Sequence, residues 1–213
     1  TCAPGGENHV GNQLIGKPPV KGTGFTSKDI DDIGDYVSKM ESELPIQMEV
    51  LDLNQLSKTS PVEELSTNPE DHAMVIILRN WISEDNIQKI NLECMKDEWD
   101  RKYLDPNKYR EEIVDGKKVR IRGRVMNKHA RQNLCYAPGM SQEPNYLEGK
   151  GRIVDLNTTE ALKDEFEKLI CVLKAAVEQP EKVDLNVIEG NLYNDEKKTG
   201  IGFHGDTERV MVI

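Results

Sequence analysis

NLYNDEKKTGIGFHGDTE, residues 191–208, is the stretch of the sequence that decides the fold. Before it, the alternating residues Val183–Tyr193 predict a β-strand. The polar cluster Asn194–Gly200 then predicts a hairpin loop, and Ile201–Asp206 predicts the return strand. The stretch therefore predicts an antiparallel hairpin, and the residues of interest lie on its two strands.

Two pairs of polar residues share a face of this predicted hairpin. Residues two apart on a strand point to the same side, so His204 and Asp206 can offer an imidazole and a carboxylate to one ion. A second histidine would complete the facial triad that binds non-haem iron(II) and leaves coordination positions open. Asn191 and Tyr193 form a similar pair on the preceding strand. The alternative is a hairpin with an ordinary surface histidine and aspartate.

The stretch that contains these four residues in this order resembles the AlkB-like family of iron(II)/2-oxoglutarate dioxygenases. The resemblance covers about residues 72–213 and implies that Asn191 and Tyr193 bind 2-oxoglutarate. It also implies that His204 and Asp206 are iron ligands, with O2 as co-substrate. No catalytic residue beyond the metal ligands is implied.

The chain departs from the family pattern in two respects. The family places its second metal histidine, and an arginine that pairs with 2-oxoglutarate, several dozen residues after the aspartate. This sequence ends seven residues after Asp206, and its other histidines, His9, His72 and His129, precede the motif. We therefore expect the native chain to continue past Ile213, and the chain as given to bind iron poorly. Thr207 stands where nucleic-acid repair members often carry a second acidic residue.

The expected fold class is mixed α/β (α+β) in two domains. Residues 1–70 are expected to form a small N-terminal α/β unit and linker of accessory role. The boundary is placed there because the segment from Gln55 to Asp71 is polar and rich in turn residues. Residues 71–213 form the oxygenase domain with its C-terminal part missing. The resemblance implies that its strands belong to a partial double-stranded β-helix, which is a jelly-roll-like fold.

Hydrophobic spacing places the other elements. Helices are predicted after the caps Thr26 or Ser27, Ser83 and Asn157, with Pro45 ending the first and Pro180 ending the last. The helix after Ser83 is expected to turn Ile87, Ile90, Cys94 and Trp99 inward. Strands are predicted at Ile46–Leu53, Ala73–Leu78, Lys117–Val125 and Gly151–Leu156.

Composition limits the partners and the compartment. The 28 Lys and Arg residues against 38 Asp and Glu residues give a formal charge of -10, so any contact with nucleic acid must be local. No apolar run is long enough to span a bilayer, so no membrane partner is expected. The four cysteines are scattered, which fits an intracellular, cytoplasmic or nuclear protein. The oligomeric state is not predicted.

One segment carries an unusual density of positive charge. Between Lys117 and Arg131 there are seven basic residues and no acidic residue. We predict that this segment contacts the phosphates of a nucleic acid, and that a nearby aromatic ring stacks on a base. The predicted substrate-binding residues are Arg120, Arg122, Arg124, Lys128, Arg131 and Tyr136. The alternative is a solvated strand face that balances the acidic residues elsewhere.

Three hypotheses for the function follow. The first is an oxygenase that hydroxylates or demethylates a nucleic-acid base, using Fe(II) and 2-oxoglutarate. The second is a protein side-chain hydroxylase of the same superfamily, which Thr207 and the charge of -10 favour. The third is a non-catalytic binding or structural module that retains the oxygenase fold.

Overall fold

The structure is a computed structural model that describes residues 24–40, 46–53, 74–129 and 131–193. The predicted return strand with His204 and Asp206 lies outside the described residues. The described residues contain three α-helices: α1 (Ser27–Ser38), α2 (Glu84–Cys94) and α3 (Glu160–Ala176). The strands are β1 (Gln47–Asp52), β2 (Met74–Arg79), β3 (Lys102–Val114), β4 (Lys117–Asn127), β5 (Gln132–Ala137), β6 (Ile153–Asp155) and β7 (Ile188–Leu192).

These elements make a mixed α/β fold with small, mostly antiparallel sheets. Contacts divide the described residues into two units. The helical unit contains the residues up to Leu92 together with Ala161–Leu185, and the strand unit contains Glu93–Glu160 together with residues 186–193. The described strands form two-stranded and three-stranded sheets, and none of these closes into a barrel.

Helix α1 begins as the sequence predicts. The Thr26 hydroxyl accepts a hydrogen bond from the Asp29 backbone N–H, and the Asp29 carboxylate accepts one from the Thr26 N–H at 2.7 Å. This reciprocal capping box satisfies backbone donors that the first helical turn leaves without partners. The helix ends at Ser38, earlier than the predicted stop at Pro45, because the Lys39 N–H bonds to the carbonyls of Tyr36 and Val37 in a tighter last turn.

The core of the helical unit is formed by apolar residues on α1 and α3. Ile33 and Val37 on α1 belong to one buried cluster with Val172 and Leu173 on α3. Phe166 and Leu173 of α3 are also buried, with exposed fractions below a tenth. In α2 the prediction of an inward position was wrong for Ile87, which is 52% exposed. No residue of that helix is fully buried.

Strands β1 and β2 pair with each other across the polar segment. The antiparallel register places Gln47 opposite Arg79 and Asp52 opposite Met74. Both strands lie in the helical unit, so the contacts group the chain differently from a division near residue 70. A polar, turn-rich segment marks a connection, and a connection can join two paired strands as well as two domains.

In the strand unit, β5 is the central strand of a three-stranded sheet. It pairs parallel to β6 and antiparallel to β7. Every residue from Asn133 to Ala137 is buried, which explains the nearly continuous apolar run in this strand. Strand β7 covers only part of the predicted Val183–Tyr193 strand, because the Val183 N–H closes a 3-10 turn on the Pro180 carbonyl.

The other sheet of this unit is the long hairpin β3–β4. Its turn is Asp115-Gly116, with φ values of 51° and 75°, which is the two-residue type I′ turn that matches the twist of a hairpin. The prediction of a strand beginning at Lys117 is confirmed, whereas β3 was not predicted. The register skips three residues of β3, Pro106 to Lys108, against Gly123 of β4, so β3 bulges there.

None of the helices among the described residues has the length and apolar character needed to cross a lipid bilayer.

Candidate functional site

Asn191 lies on β7 beside the buried central strand of its sheet. It is half-buried and stands directly opposite Asn133 of β5. The Asn133 carboxamide donates a hydrogen bond of 2.5 Å to Asn191 Oδ1 and another of 3.1 Å to Glu189 Oε1. Asn133 itself is 2% exposed, so its side of this contact is buried. It fixes the plane of the Asn191 side chain.

Lys128 completes this polar group. Its ammonium group donates a hydrogen bond of 2.6 Å to Asn133 Oδ1, so both ends of the Asn133 carboxamide are used. Sequence reasoning assigned Lys128 to substrate binding and did not single out Asn133. In the structure, Lys128 donates a hydrogen bond to Asn133, the residue that orients Asn191. No local pattern indicated Asn133, because it is a polar residue beside the buried, apolar residues of its strand.

The two residues predicted to bind 2-oxoglutarate, Asn191 and Tyr193, lie on β7 and directly after it. With Oδ1 of Asn191 engaged by Asn133, the N–H groups of the same carboxamide are the ones oriented for another acceptor, and the carboxylate of 2-oxoglutarate is such an acceptor. Tyr193 follows β7 and is 40% exposed, so its phenol can be reached by a small molecule. His204 and Asp206 lie outside the described residues. Within the described ranges, no three His, Cys, Asp or Glu residues group as a metal site.

Three of the predicted basic residues lie together on β4. Arg120, Arg122 and Arg124 are all exposed, as their alternation predicts. Arg122 is partly engaged, because its guanidinium donates to the Pro106 carbonyl at 2.8 Å and to Asn107 Oδ1 at 3.3 Å. Arg122 therefore holds the bulge of β3, whereas Arg120 and Arg124 present charge on the same face of the hairpin.

The structure places the other two predicted substrate residues in the interior. Arg131 is 9% exposed, and Tyr136 is 1% exposed with its hydroxyl donating to Asp97 at 3.2 Å. Burial raises the pKa of the Tyr136 phenol far above its usual range, and contacts with Cys94 and Asp97 add to the effect. A ring in this position has no face to offer a base. The reason is that Tyr136 lies on β5, a central strand that was not predicted.

The aromatic residue that accompanies the arginines is Tyr109 on β3. It stands opposite Arg122 in the register and is 45% exposed. The Arg120 guanidinium carbon lies 4.2 Å from the centre of the Tyr109 ring, which is a cation–π contact. Sequence reasoning missed Tyr109 because β3 was missed. The Asp115-Gly116 turn between two strand-like runs was the available signal.

A buried carboxylate supports the start of β3. Asp100 is 1% exposed and accepts hydrogen bonds of 2.6 Å from both the Tyr146 hydroxyl and the Arg152 backbone N–H. Burial raises the pKa of the Asp100 carboxyl, although these donors oppose the shift. The Asp100 backbone also exchanges hydrogen bonds with Asn133. The cluster therefore ties the loop 146–152 to the strand that carries Asn133.

Comparison with known proteins gives one family relationship. No protein-family model matches the chain, and no solved structure matches it. The chain is 32% identical over 208 residues to a protein of Acanthamoeba polyphaga mimivirus that bears the name "Uncharacterized protein R156". The match covers 97% of this chain and 68% of the viral protein. The chain therefore belongs to the same protein family as mimivirus R156.

Proposed function

We propose that this protein is an iron(II)/2-oxoglutarate-dependent dioxygenase of the AlkB-like kind that hydroxylates or demethylates a nucleic-acid base. The observation that carries the proposal is the ordered set Asn191, Tyr193, His204 and Asp206. Asn191, the first member of the set, is on a strand whose buried neighbour Asn133 orients its carboxamide. An isolated histidine and aspartate two residues apart would be a much weaker signal.

The proposal includes a fold. We propose that β5 and β7 belong to the double-stranded β-helix of this superfamily, with the strand after residue 200 as the partner of β7. The described sheet supports this because β7 carries Asn191 and pairs antiparallel with β5. In such a fold, residues from facing strands of the two sheets can reach one central ion.

In this proposal, the described residues act by binding and orientation. Asn191 donates to a carboxylate of 2-oxoglutarate, and the Tyr193 hydroxyl binds the same co-substrate. Asn133 and Lys128 hold the Asn191 carboxamide in the orientation that makes this possible. His204 and Asp206 would hold iron(II), a metal that imidazole and carboxylate ligands suit. When bound, iron(II) with 2-oxoglutarate supplies the oxidation of a substrate C–H bond by O2.

The nucleic-acid substrate is supported by the charge of the hairpin β3–β4. The chain has a formal charge of -10, yet Arg120 and Arg124 are exposed on a strand between Lys117 and Asn127 that has no acidic residue. Positive charge concentrated in an acidic protein is expected to attract a polyanion locally. A substrate gripped through its backbone leaves the base to enter the oxygenase site.

The substrate assignment is tested by 2-oxoglutarate turnover in the full-length protein. Single-stranded oligonucleotides with methylated bases should stimulate the conversion of 2-oxoglutarate to succinate, whereas the unmethylated oligonucleotides should stimulate it less. If only a nuclease-treated peptide fraction stimulates turnover, the protein is a side-chain hydroxylase. If neither does, and no iron-dependent turnover occurs, the oxygenase fold serves binding alone.

A further inference from the structure

A cleft opens on the exposed face of the hairpin β3–β4. It has a volume of about 760 Å3, which is within the range of about 300–1,000 Å3 that small-molecule sites occupy. The cleft is lined by Asn107, Lys108, Tyr109, Arg110, Glu111, Arg120 and Arg124. We propose that this cleft binds one nucleotide unit of a single-stranded nucleic acid, with its base stacked on Tyr109 and its phosphates contacted by Arg120, Arg124 and Lys108. Binding at this cleft does not depend on the proposed function. Only the role of the bound strand as the substrate of the oxygenase rests on that function.

The cleft is a built feature of the hairpin. Pro106 has no N–H to give to the ladder, and the pairing resumes only at Tyr109, so β3 bulges outward. The Asn107 N–H donates to Asp105 Oδ1 at 2.8 Å, and Arg122 donates to the Pro106 carbonyl. These bonds hold the bulge that forms one wall of the cleft.

Gly123 stands on β4 opposite the bulge. Its φ of +93° lies in a region that a residue with a Cβ rarely adopts, and it is the single residue of β4 that faces the bulge. Its carbonyl accepts a hydrogen bond of 2.7 Å from Arg110, whose guanidinium also bonds to Glu112. Arg110 is thereby committed to the hairpin itself, so Arg120, Arg124 and Lys108 are the cations assigned to the ligand.

The charges of the lining select an anion. The lining contains four basic residues and one acidic residue, Glu111, which lies 3.5 Å from the Lys118 ammonium group. An acidic peptide would satisfy this charge, but it would not use the exposed ring of Tyr109. A nucleotide uses both, because its base has a π-face for the ring and its phosphate has charge for the arginines.

The exposed ring indicates a single strand in preference to a duplex. Tyr109 is 45% exposed and is held from one side by Arg120. A base inside a duplex is already stacked on its neighbours, whereas an unpaired base can stack on an aromatic side chain. The same preference suits an enzyme whose target base must leave the helix before reaction.

The test measures binding of a fluorescein-labelled 12-nucleotide single strand to the full-length protein by fluorescence anisotropy at several salt concentrations. The double variant Arg120→Ala/Arg124→Ala should bind at least tenfold more weakly. Its plot of log K against log[salt] should be less steep by about 1.4, because each phosphate contact to a single strand contributes about 0.7. The matched control, Lys89→Ala/Lys96→Ala, removes the same charge from exposed positions outside the hairpin and should change affinity by less than threefold.

A second pair of variants tests the ring. Tyr109→Leu should weaken binding about fivefold or more, which is the lower range for the loss of one stacked base, whereas Tyr109→Phe should keep it. Equal losses in the arginine and lysine double variants would overturn the cleft as a site, because they would show diffuse attraction. Tighter binding of a duplex of the same length, or of an acidic peptide, would also overturn the proposal.

The binding test is independent of catalysis. Turnover of 2-oxoglutarate by the wild-type protein without a nucleic acid is measured in parallel. Absence of this basal turnover from the wild-type protein would count against the proposed oxygenase. The anisotropy result would still decide whether the cleft binds a single strand.

Discussion

The side-chain amide of Asn133 donates a hydrogen bond of 2.5 Å to Oδ1 of Asn191. This contact joins a residue that the sequence motif identifies to a buried residue that the motif does not contain. Because Asn133 also receives a hydrogen bond from Lys128, its orientation is fixed from both ends. In the proposed oxygenase, co-substrate binding at Asn191 should therefore depend on Asn133.

Replacing this buried amide should weaken co-substrate binding. The variant Asn133→Ala removes the bond to Asn191, worth about 1 kcal/mol, along with those to Glu189 and from Lys128. The KM for 2-oxoglutarate should therefore rise about fivefold with a smaller change in kcat. A titration of turnover against 2-oxoglutarate measures this effect. Asn157→Ala, an exposed change in the same unit, serves as the control. An unaltered KM in a folded Asn133→Ala protein would show that Asn191 is not oriented in this way.

Removing the phenol beside the buried carboxylate should destabilise the strand unit. Tyr146→Phe takes a donor away from Asp100, which is 1% exposed, and an incompletely satisfied buried carboxylate costs about 1–3 kcal/mol. Urea unfolding should show this decrease in the free energy of unfolding. The same change at the exposed Tyr36 should have almost no effect. Equal stability of the two variants would mean that the Tyr146 bond contributes nothing.

Two glycine substitutions should have opposite effects. A Cβ on Gly190 would lie 2.8 Å from Trp99 Cη2 and 3.4 Å from the Leu134 carbonyl, so Gly190→Ala should destabilise by about 1–3 kcal/mol. A Cβ on Gly34, inside α1, meets Met48 Sδ at 3.4 Å, so Gly34→Ala should gain up to about 1 kcal/mol from helix propensity. Thermal unfolding compares them, and a stabilised Gly190→Ala protein would contradict the packing of Trp99.

The cap of α1 should make stability depend on acid. Burial alone would raise the pKa of the Asp29 carboxyl, but hydrogen bonds from the Thr26 backbone and side chain and from Lys182 lower it overall. A carboxyl group with a lowered folded-state pKa stabilises above the unfolded value, near 3.8, and this stability disappears as the pH falls through the folded value.

Urea unfolding at pH 7 and at pH 3 tests this dependence. At pH 7, Asp29→Asn should be less stable than the wild type by about 1–3 kcal/mol, and the difference should shrink at pH 3. The exposed Asp31→Asn change is the control. A difference that stays constant with pH would assign the loss to geometry and not to charge.

Local patterns predicted the elements whose signals are complete within a few residues. Thr26, one of the two predicted caps, begins α1, and the alternating arginines of β4 are exposed as expected. Contacts distant in sequence were not predictable in this way. A tyrosine such as Tyr136 can occupy either a surface or a core position. It is buried because it lies in the central strand β5.

The candidate site shows the same difference. The pair Asn191 and Tyr193 could be recognised because the motif is contiguous in sequence. Asn133, 58 residues away, could not, because the register between β5 and β7 depends on the packing of both strands. Tyr109 was missed with β3, whose bulge at Pro106 interrupts the period-2 pattern that indicates a strand.

The most direct test of the account is iron(II)- and 2-oxoglutarate-dependent O2 uptake by the full-length protein and its His204→Ala variant, with His72→Ala as the control. Uptake matched by one succinate per O2 is expected in the wild-type and His72→Ala proteins, and a loss to background in His204→Ala. Uptake that survives in His204→Ala, or its absence from the wild-type protein supplied with iron(II) and 2-oxoglutarate, would contradict the assignment of an iron-dependent oxygenase.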